Sequence, residues 1–214
     1  MPPDGQAPVG DYRLSSDGAV GEFQPEDVRA ADFRRVAPKS LDVLRKLDGL
    51  TSTASDVLDE LGWRLSVPAA TLPRRSGDGC LVGHAITLRY LPERFHMGHR
   101  NPRASTPKLA HHVAFRLSRP GDVVVIDAAG CGAISVMGGV AATAAVKAEL
   151  SGAVVDGAVR DVAELRSSGL RVWSRYITPI TGKERLEAVS IRDRGWTTTD
   201  LQRTTSPHVY MWGR

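Results

Sequence analysis

Residues 136–173 read VMGGVAATAAVKAELSGAVVDGAVRDVAELRSSGLRVW. Gly138 and Gly139 stand directly before an Ala-rich stretch that reads as a helix over Val140–Leu150. The start of a helix leaves backbone N–H groups unpaired and carries a partial positive charge. Glycines let a ligand come up against that backbone, so Gly138, Gly139, Val140 and Ala141 form a cradle suited to a carboxylate. Gly152–Val159 follows as a Val-rich run bounded by glycine, the pattern of a buried strand. Arg160 and Asp161 lie at its C-terminal end, where open α/β sheets place ligand groups. Asp161–Ser168 then reads as a short helix closed by Gly169.

The chemistry of that junction follows from its side chains. The planar fork of Arg160 suits a carboxylate. Asp161 offers hard oxygen donors for Mg²⁺ or Mn²⁺, which are commonly held by one carboxylate, waters and a chelating substrate. A 2-oxo acid chelates through its keto and carboxylate oxygens, and the cation stabilises the enolate that forms when a C–C bond breaks. A plainer reading stands beside this one. Arg-Asp at a strand–helix junction is a common cap and surface ion pair, and Glu164 lies four residues after Arg160, a helix-stabilising spacing.

Working outward, three further runs read as strands: Cys80–Leu91, Asp122–Ala129 and the half-exposed Arg171–Ile177. Helical patterns separate them. Pro25–Leu50 turns helical, with Leu41, Leu44 and Leu47 about one turn apart and Pro38 offering a first-turn start. Thr53–Leu61 reads as a second helix, capped by Thr51 or Ser52 and ended by Gly62. Thr106-Pro107 opens a third, with Ala110, Val113, Ala114 and Leu117 on one face. Strands alternating with helices define an α/β domain. Its expected extent is 25–191, after a flexible leader at 1–24 and before an atypical, poorly ordered tail at 192–214.

Composition bounds the rest. The 214 residues, 42% of them hydrophobic, suffice for one domain with a substantial core. No run approaches the roughly 18 apolar residues a spanning helix needs, and the N-terminus lacks the basic start and apolar stretch of a signal peptide. Two cysteines outside any CxxC pair, Cys80 and Cys131, point to a reducing cytoplasm. The balance of 28 basic against 24 acidic residues suits an anionic metabolite, without a nucleic-acid signature.

With these residues in view, GAVVDGAVRDVAEL (152–165) resembles the signature of the RraA-like family, which includes 4-hydroxy-4-methyl-2-oxoglutarate aldolases and the regulator of ribonuclease activity A. The motif is a glycine, about twenty residues, then Arg-Asp-x-x-Glu/Asp; it falls here on Gly138, Arg160, Asp161 and Glu164. STASDVLDELG (52–62), GHAITLRYLPE (83–93) and PGDVVVIDAAG (120–130) resemble the family's early helix, first long strand and the strand leading to the site. The likeness covers roughly residues 40–191. It implies a swivelling β/β/α domain, usually a homotrimer or hexamer, in which amides at 138–141 hold pyruvate, Arg160 binds substrate and Asp161 holds Mg²⁺ or Mn²⁺. The implied reactions are retro-aldol cleavage to pyruvate and oxaloacetate decarboxylation, which share one pyruvate enolate. The implied alternative is a non-catalytic regulator that binds an RNA-degradation enzyme. A methyltransferase activity finds no support, because no Gly-rich nucleotide loop follows a first strand.

Two departures from the family pattern carry expectations. The acid that usually follows the cradle glycine is Gly139 here; the resemblance implies that this acid helps position water for proton transfer, so its loss is expected to weaken or abolish turnover while leaving metal and pyruvate binding possible. After Ile191 the chain reads RDRGWTTTDLQRTTSPHVYMWGR, without the family's Gly-rich, PGD-containing final strands. Missing or replaced C-terminal strands should leave a sheet edge unpaired, as a truncated or frame-shifted C-terminus would. Elsewhere, His96, His99 and His111-His112 form a weak metal-site candidate beside a basic 94–104 loop. Asp127 reads as structural, Asp156 as a turn or trimer contact, and Cys131 has no evident base to make it a nucleophile.

Overall fold

Four strands run parallel through the centre of the protein, whose computed structural model describes residues 35–92, 110–182, 185–192 and 209–212. They are β2 (Leu81–Pro92), β3 (Val123–Met137), β4 (Gly152–Val159) and β5 (Arg171–Ile177). Short β1 (Arg74–Ser76) adds antiparallel to β5, and β6 (Leu186–Arg192) adds antiparallel to β2, giving the order β1-β5-β4-β3-β2-β6. Every residue of β4 is buried, as a central parallel strand covered on both faces requires.

The crossovers are helical. α3 (Ala110–Leu117) leads into β3, α4 (Gly139–Lys147) joins β3 to β4, and α5 (Val162–Ser168) joins β4 to β5. The parallel strands follow one another in space in a single direction, so right-handed crossovers set all three helices on one face. The main core fits this: Phe115, Ala141, Ala142, Ala145 and Leu165 from the helices pack with Leu88, Ile126, Val155, Val159 and Val172 from the sheet. Leu165 is fully buried, and its burial contributes about 2 kcal/mol to holding α5 down. On the opposite face Leu72, Leu81, Val125, Val154 and Trp173 form a smaller cluster. α1 (Pro38–Lys46) and α2 (Leu50–Glu60) bring Leu41 and Leu50 against Val82 at the base of β2.

β4 and β5 fall where the sequence places them. β2 and β3 do too, although β3 runs on to Met137. α1 starts at Pro38 as expected. The cap of α2 differs: left-handed Gly49 precedes the helix and no side chain caps it. Thr51 and Ser52 lie inside the first turn, because that glycine lets the chain enter the helix early.

Of the 192–214 tail, the described residues are Arg192, the last of β6, and a short strand. Val209–Trp212 forms a strand, β7, antiparallel to Leu81–His84 of β2, while β6 pairs with Thr87–Pro92 of the same strand. Among the described residues, β2 is therefore paired along most of its length on the side away from β3, where an unpaired edge was expected. β2 is twelve residues long, room for two short antiparallel partners; VYMW is rich in β-formers but too short to display a period. The expectations for residues 1–24, for His96 and His99, for the 94–104 loop and for Thr106-Pro107 lie outside the described residues. No described helix is long and apolar enough to cross a membrane.

One cluster ties the entry to α1 onto the base of the sheet. Arg35 holds both oxygens of Asp122 at 2.7 Å, Asp122 also accepts the Arg119 N–H, and the Val36 N–H donates to His84 Nε2 at 2.8 Å. Burial, then the Arg35 charge, push the His84 pKa down, and the Asp122 charge opposes them. Folding therefore favours neutral imidazole. Its contribution is fully present above the unfolded-state value of about 6.5 and is lost as pH falls toward the lower folded value. His84→Gln, which keeps an acceptor for Val36 without titrating, should flatten this acid-side loss; urea unfolding of both forms at pH 7.5 and 5.5 measures it.

Candidate functional site

β3 takes ten residues, Asp127 to Met137, to advance as far as β4 does in three, Asp156 to Val159. The excursion includes left-handed Ala129 and Gly130. It ends by bringing Met137 level with Val159, and the Arg160 N–H donates to the Met137 carbonyl at 3.0 Å. Two strand–helix turns are thereby set side by side: Gly138-Gly139 entering α4, and Arg160-Asp161 entering α5.

Across this seam the side chains meet. The Gly139 N–H donates to Asp161 Oδ2 at 3.2 Å, and Arg160 Nε lies 3.4 Å from the same oxygen. Asp161 is the N-cap of α5, yet makes no side-chain cap bond to its own helix. Its backbone is left-handed (φ 54°, ψ 49°), a conformation Asp tolerates better than most residues at a cost of about 1 kcal/mol. That conformation sends the carboxylate to the start of α4. The Arg160 and Asp161 side chains are 38% and 37% exposed, open enough to meet a ligand; a pair this solvated adds little stability by itself.

Neither glycine has free space for a Cβ as the neighbouring side chains stand. A Cβ at Gly138 would stand 2.6 Å from Asp161 Oδ2 and 2.9 Å from Arg160 Cγ. A Cβ at Gly139 would stand 2.7 Å from the Cβ of Glu164. So Glu164, one turn into α5, packs over Gly139, and the space an acid at 139 would need is taken. Val140 is 77% exposed while Ala141 is buried; Thr143 Oγ1 donates back to the Gly139 carbonyl. The structure thus gathers Gly138, Gly139, Arg160, Asp161 and Glu164 at one place, with Val140 and Ala141 following in the first turn of α4.

The remaining candidates lie elsewhere. Asp127 shares the sheet face of Val125, away from α4. There it sits in register between Arg89 and Asp156, its Oδ1 accepting the Ala129 N–H. Burial pushes its pKa up and Asp156 adds to this, against the Ala129 N–H and Arg89. Asp156 is mid-strand rather than in a turn, and pairs with Arg175. His111 is buried against Tyr90 and Phe115. Among the described residues, no three His, Cys, Asp or Glu side chains gather into a metal cluster. The junction still offers an accessible carboxylate, Asp161, of the kind Mg²⁺ or Mn²⁺ takes together with waters and a chelating ligand.

Sequence reading missed the reach of Asp161 across to α4 and the packing of Glu164 on Gly139. The doubled glycine was the available signal, since one glycine would serve an anion and two imply a close neighbour as well. It also missed the Arg35–His84–Asp122 cluster, which the polar residues at the paired starts of β2 and β3 could have flagged.

A parallel α/β sheet thus sets two strand–helix turns side by side, with Arg160, Asp161 and the Gly139 amide at their seam. A family model described as RraA-like, Aldolase/RraA, matches residues 51–195, and the chain belongs to the RraA-like family. Solved structures share the fold. An uncharacterized protein from Pseudomonas syringae pv. tomato str. DC3000 is 22% identical over 74% of this chain and 68% of its own, with a TM-score of 0.58. Streptomyces coelicolor RraAS2, described as an unusual member of the RNase ES inhibitor RraA protein family, is 23% identical over 75% and 74%, with a TM-score of 0.60. The RNA-processing inhibitor RraA from Thermus thermophilis is 23% identical over 66% and 77%, with a TM-score of 0.51.

Because the Cβ and Cγ of Glu164 crowd Gly139, Gly139→Ala should destabilise the protein by about 1–3 kcal/mol, and Gly139→Asp by at least as much. Val140→Ala, one residue on and exposed, should stay within about 0.5 kcal/mol. Denaturant midpoints of the three variants check this.

Proposed function

We propose that the chain is a divalent-metal-dependent lyase that cleaves 4-hydroxy-4-methyl-2-oxoglutarate-type 2-oxo acids to pyruvate and also decarboxylates oxaloacetate. The observation that carries this reading is the convergence of the Gly139 amide, Arg160 and Asp161 on one accessible spot. Asp161 holds Mg²⁺ or Mn²⁺, which when bound supplies positive charge to the enolate oxygen. Arg160 binds the substrate carboxylate and adds to that charge. The amides of Gly138–Ala141 orient the pyruvate part. Glu164 supports Arg160 or holds a water for proton transfer. In decarboxylation the C–C bond breaks, carbon dioxide leaves, and the enolate carbon takes its proton from water. A small 2-oxo acid as the partner, a homotrimer or hexamer as the assembly and the cytoplasm as the setting complete the reading, with no nucleic acid or membrane involved.

Gly139 favours a second reading. Without an acid there, the fold serves as a non-catalytic regulator that binds an RNA-degradation enzyme, the kind of role two of the similar structures carry in their descriptions. Incubating purified protein with oxaloacetate and Mg²⁺ separates the two. Pyruvate release that EDTA stops, and that Arg160→Ala lowers by about 100-fold and Asp161→Ala abolishes, supports the lyase. Chelator-insensitive background in all forms, together with ribonuclease inhibition that Asp161→Ala leaves intact, supports the regulator.

A further inference from the structure

An Asp at the start of a helix ordinarily accepts N–H groups of that same helix. Asp161 does not; it turns back through a left-handed backbone and accepts the first N–H of α4 instead. Gly138 leaves room for the reach, since a Cβ there would stand 2.6 Å from Asp161 Oδ2 as it is placed. Arg160 leans on the same oxygen. The two groups that would receive a substrate carboxylate, the Gly139 amide and Arg160, thus both face a carboxylate of the protein itself.

We propose that Asp161 is an internal occupant of the anion cradle, so that cation and substrate binding are coupled through its displacement. A divalent cation that draws the Asp161 carboxylate to itself frees the Gly139 amide and the Arg160 fork for the incoming carboxylate. Substrate anion alone must compete with a tethered anion and binds weakly. The cation therefore enters first, and each ligand raises the affinity for the other by the same factor. This rests on the lyase reading of the site and specifies how that site is gated.

Oxalate, a planar dicarboxylate resembling the enolate, is the probe, titrated calorimetrically into the full chain. Without metal, Asp161→Ala should bind oxalate about tenfold or more tighter than the unmodified protein; Mg²⁺ should tighten the unmodified protein by a similar factor and leave Asp161→Ala unchanged. Equal or weaker metal-free binding by Asp161→Ala overturns the proposal. A second measurement holds even where oxalate fails to bind and the lyase reading falls: amide exchange at Gly139. Saturating Mn²⁺, its binding followed by electron paramagnetic resonance, should speed Gly139 exchange in the unmodified protein toward that of Asp161→Ala. Bound Mn²⁺ with no change at Gly139 overturns the displacement. Asp161→Asn, nearly isosteric, shows whether the fold tolerates loss of the charge.

Discussion

The register between β3 and β4 is the constraint on which the candidate site depends. Parallel strands fix their neighbours only while they advance together, and β3 breaks step with β4 after Asp127 and rejoins it at Met137. Had the two kept step, β3 would have ended far from Arg160, and the glycines would have entered α4 away from Asp161. The excursion is held at both ends: by the Asp127–Asp156 register within the sheet, and by the Arg160 N–H on the Met137 carbonyl. Small residues on α4 then let it settle beside α5, and the seam between the two helix starts becomes the place where charge and backbone donors meet.

What could be read from the sequence followed the strength of each local signal. β4 is a Val-rich run between glycines, and Gly169 closes α5, so both were legible from residues alone. β3 was legible only to Ala129, because the excursion that follows, with its glycines and alanines, has no strand period. β1, at three residues, and β7, at four, are specified by the neighbours they pair with. Short strands take their stability from the edge they join, and an edge cannot be seen in a linear pattern.

The candidate site was legible in kind but not in geometry. Arg160, Asp161 and the glycines could be named because their chemistry is distinctive. That Asp161 would serve the neighbouring helix rather than its own depends on a left-handed backbone angle, which the sequence does not encode at an Asp as it often does at a glycine. The reading of Gly139 as a lost acid was likewise incomplete. The position is small because α5 lies against it, and Glu164 fills the volume above.

That packing limits the paths by which this chain could change. A single replacement at 139 meets the Cβ of residue 164, an atom every residue but glycine carries. Trimming Glu164 alone does not open the gap; α5 itself must shift first, carrying Asp161 with it. An acid that enters at 139 as a single change therefore carries a stability cost, which an earlier change in helix spacing would relieve. Evolution or engineering of proton-transfer groups here has its shorter route through position 164 or beyond, on the helix that already overhangs the spot.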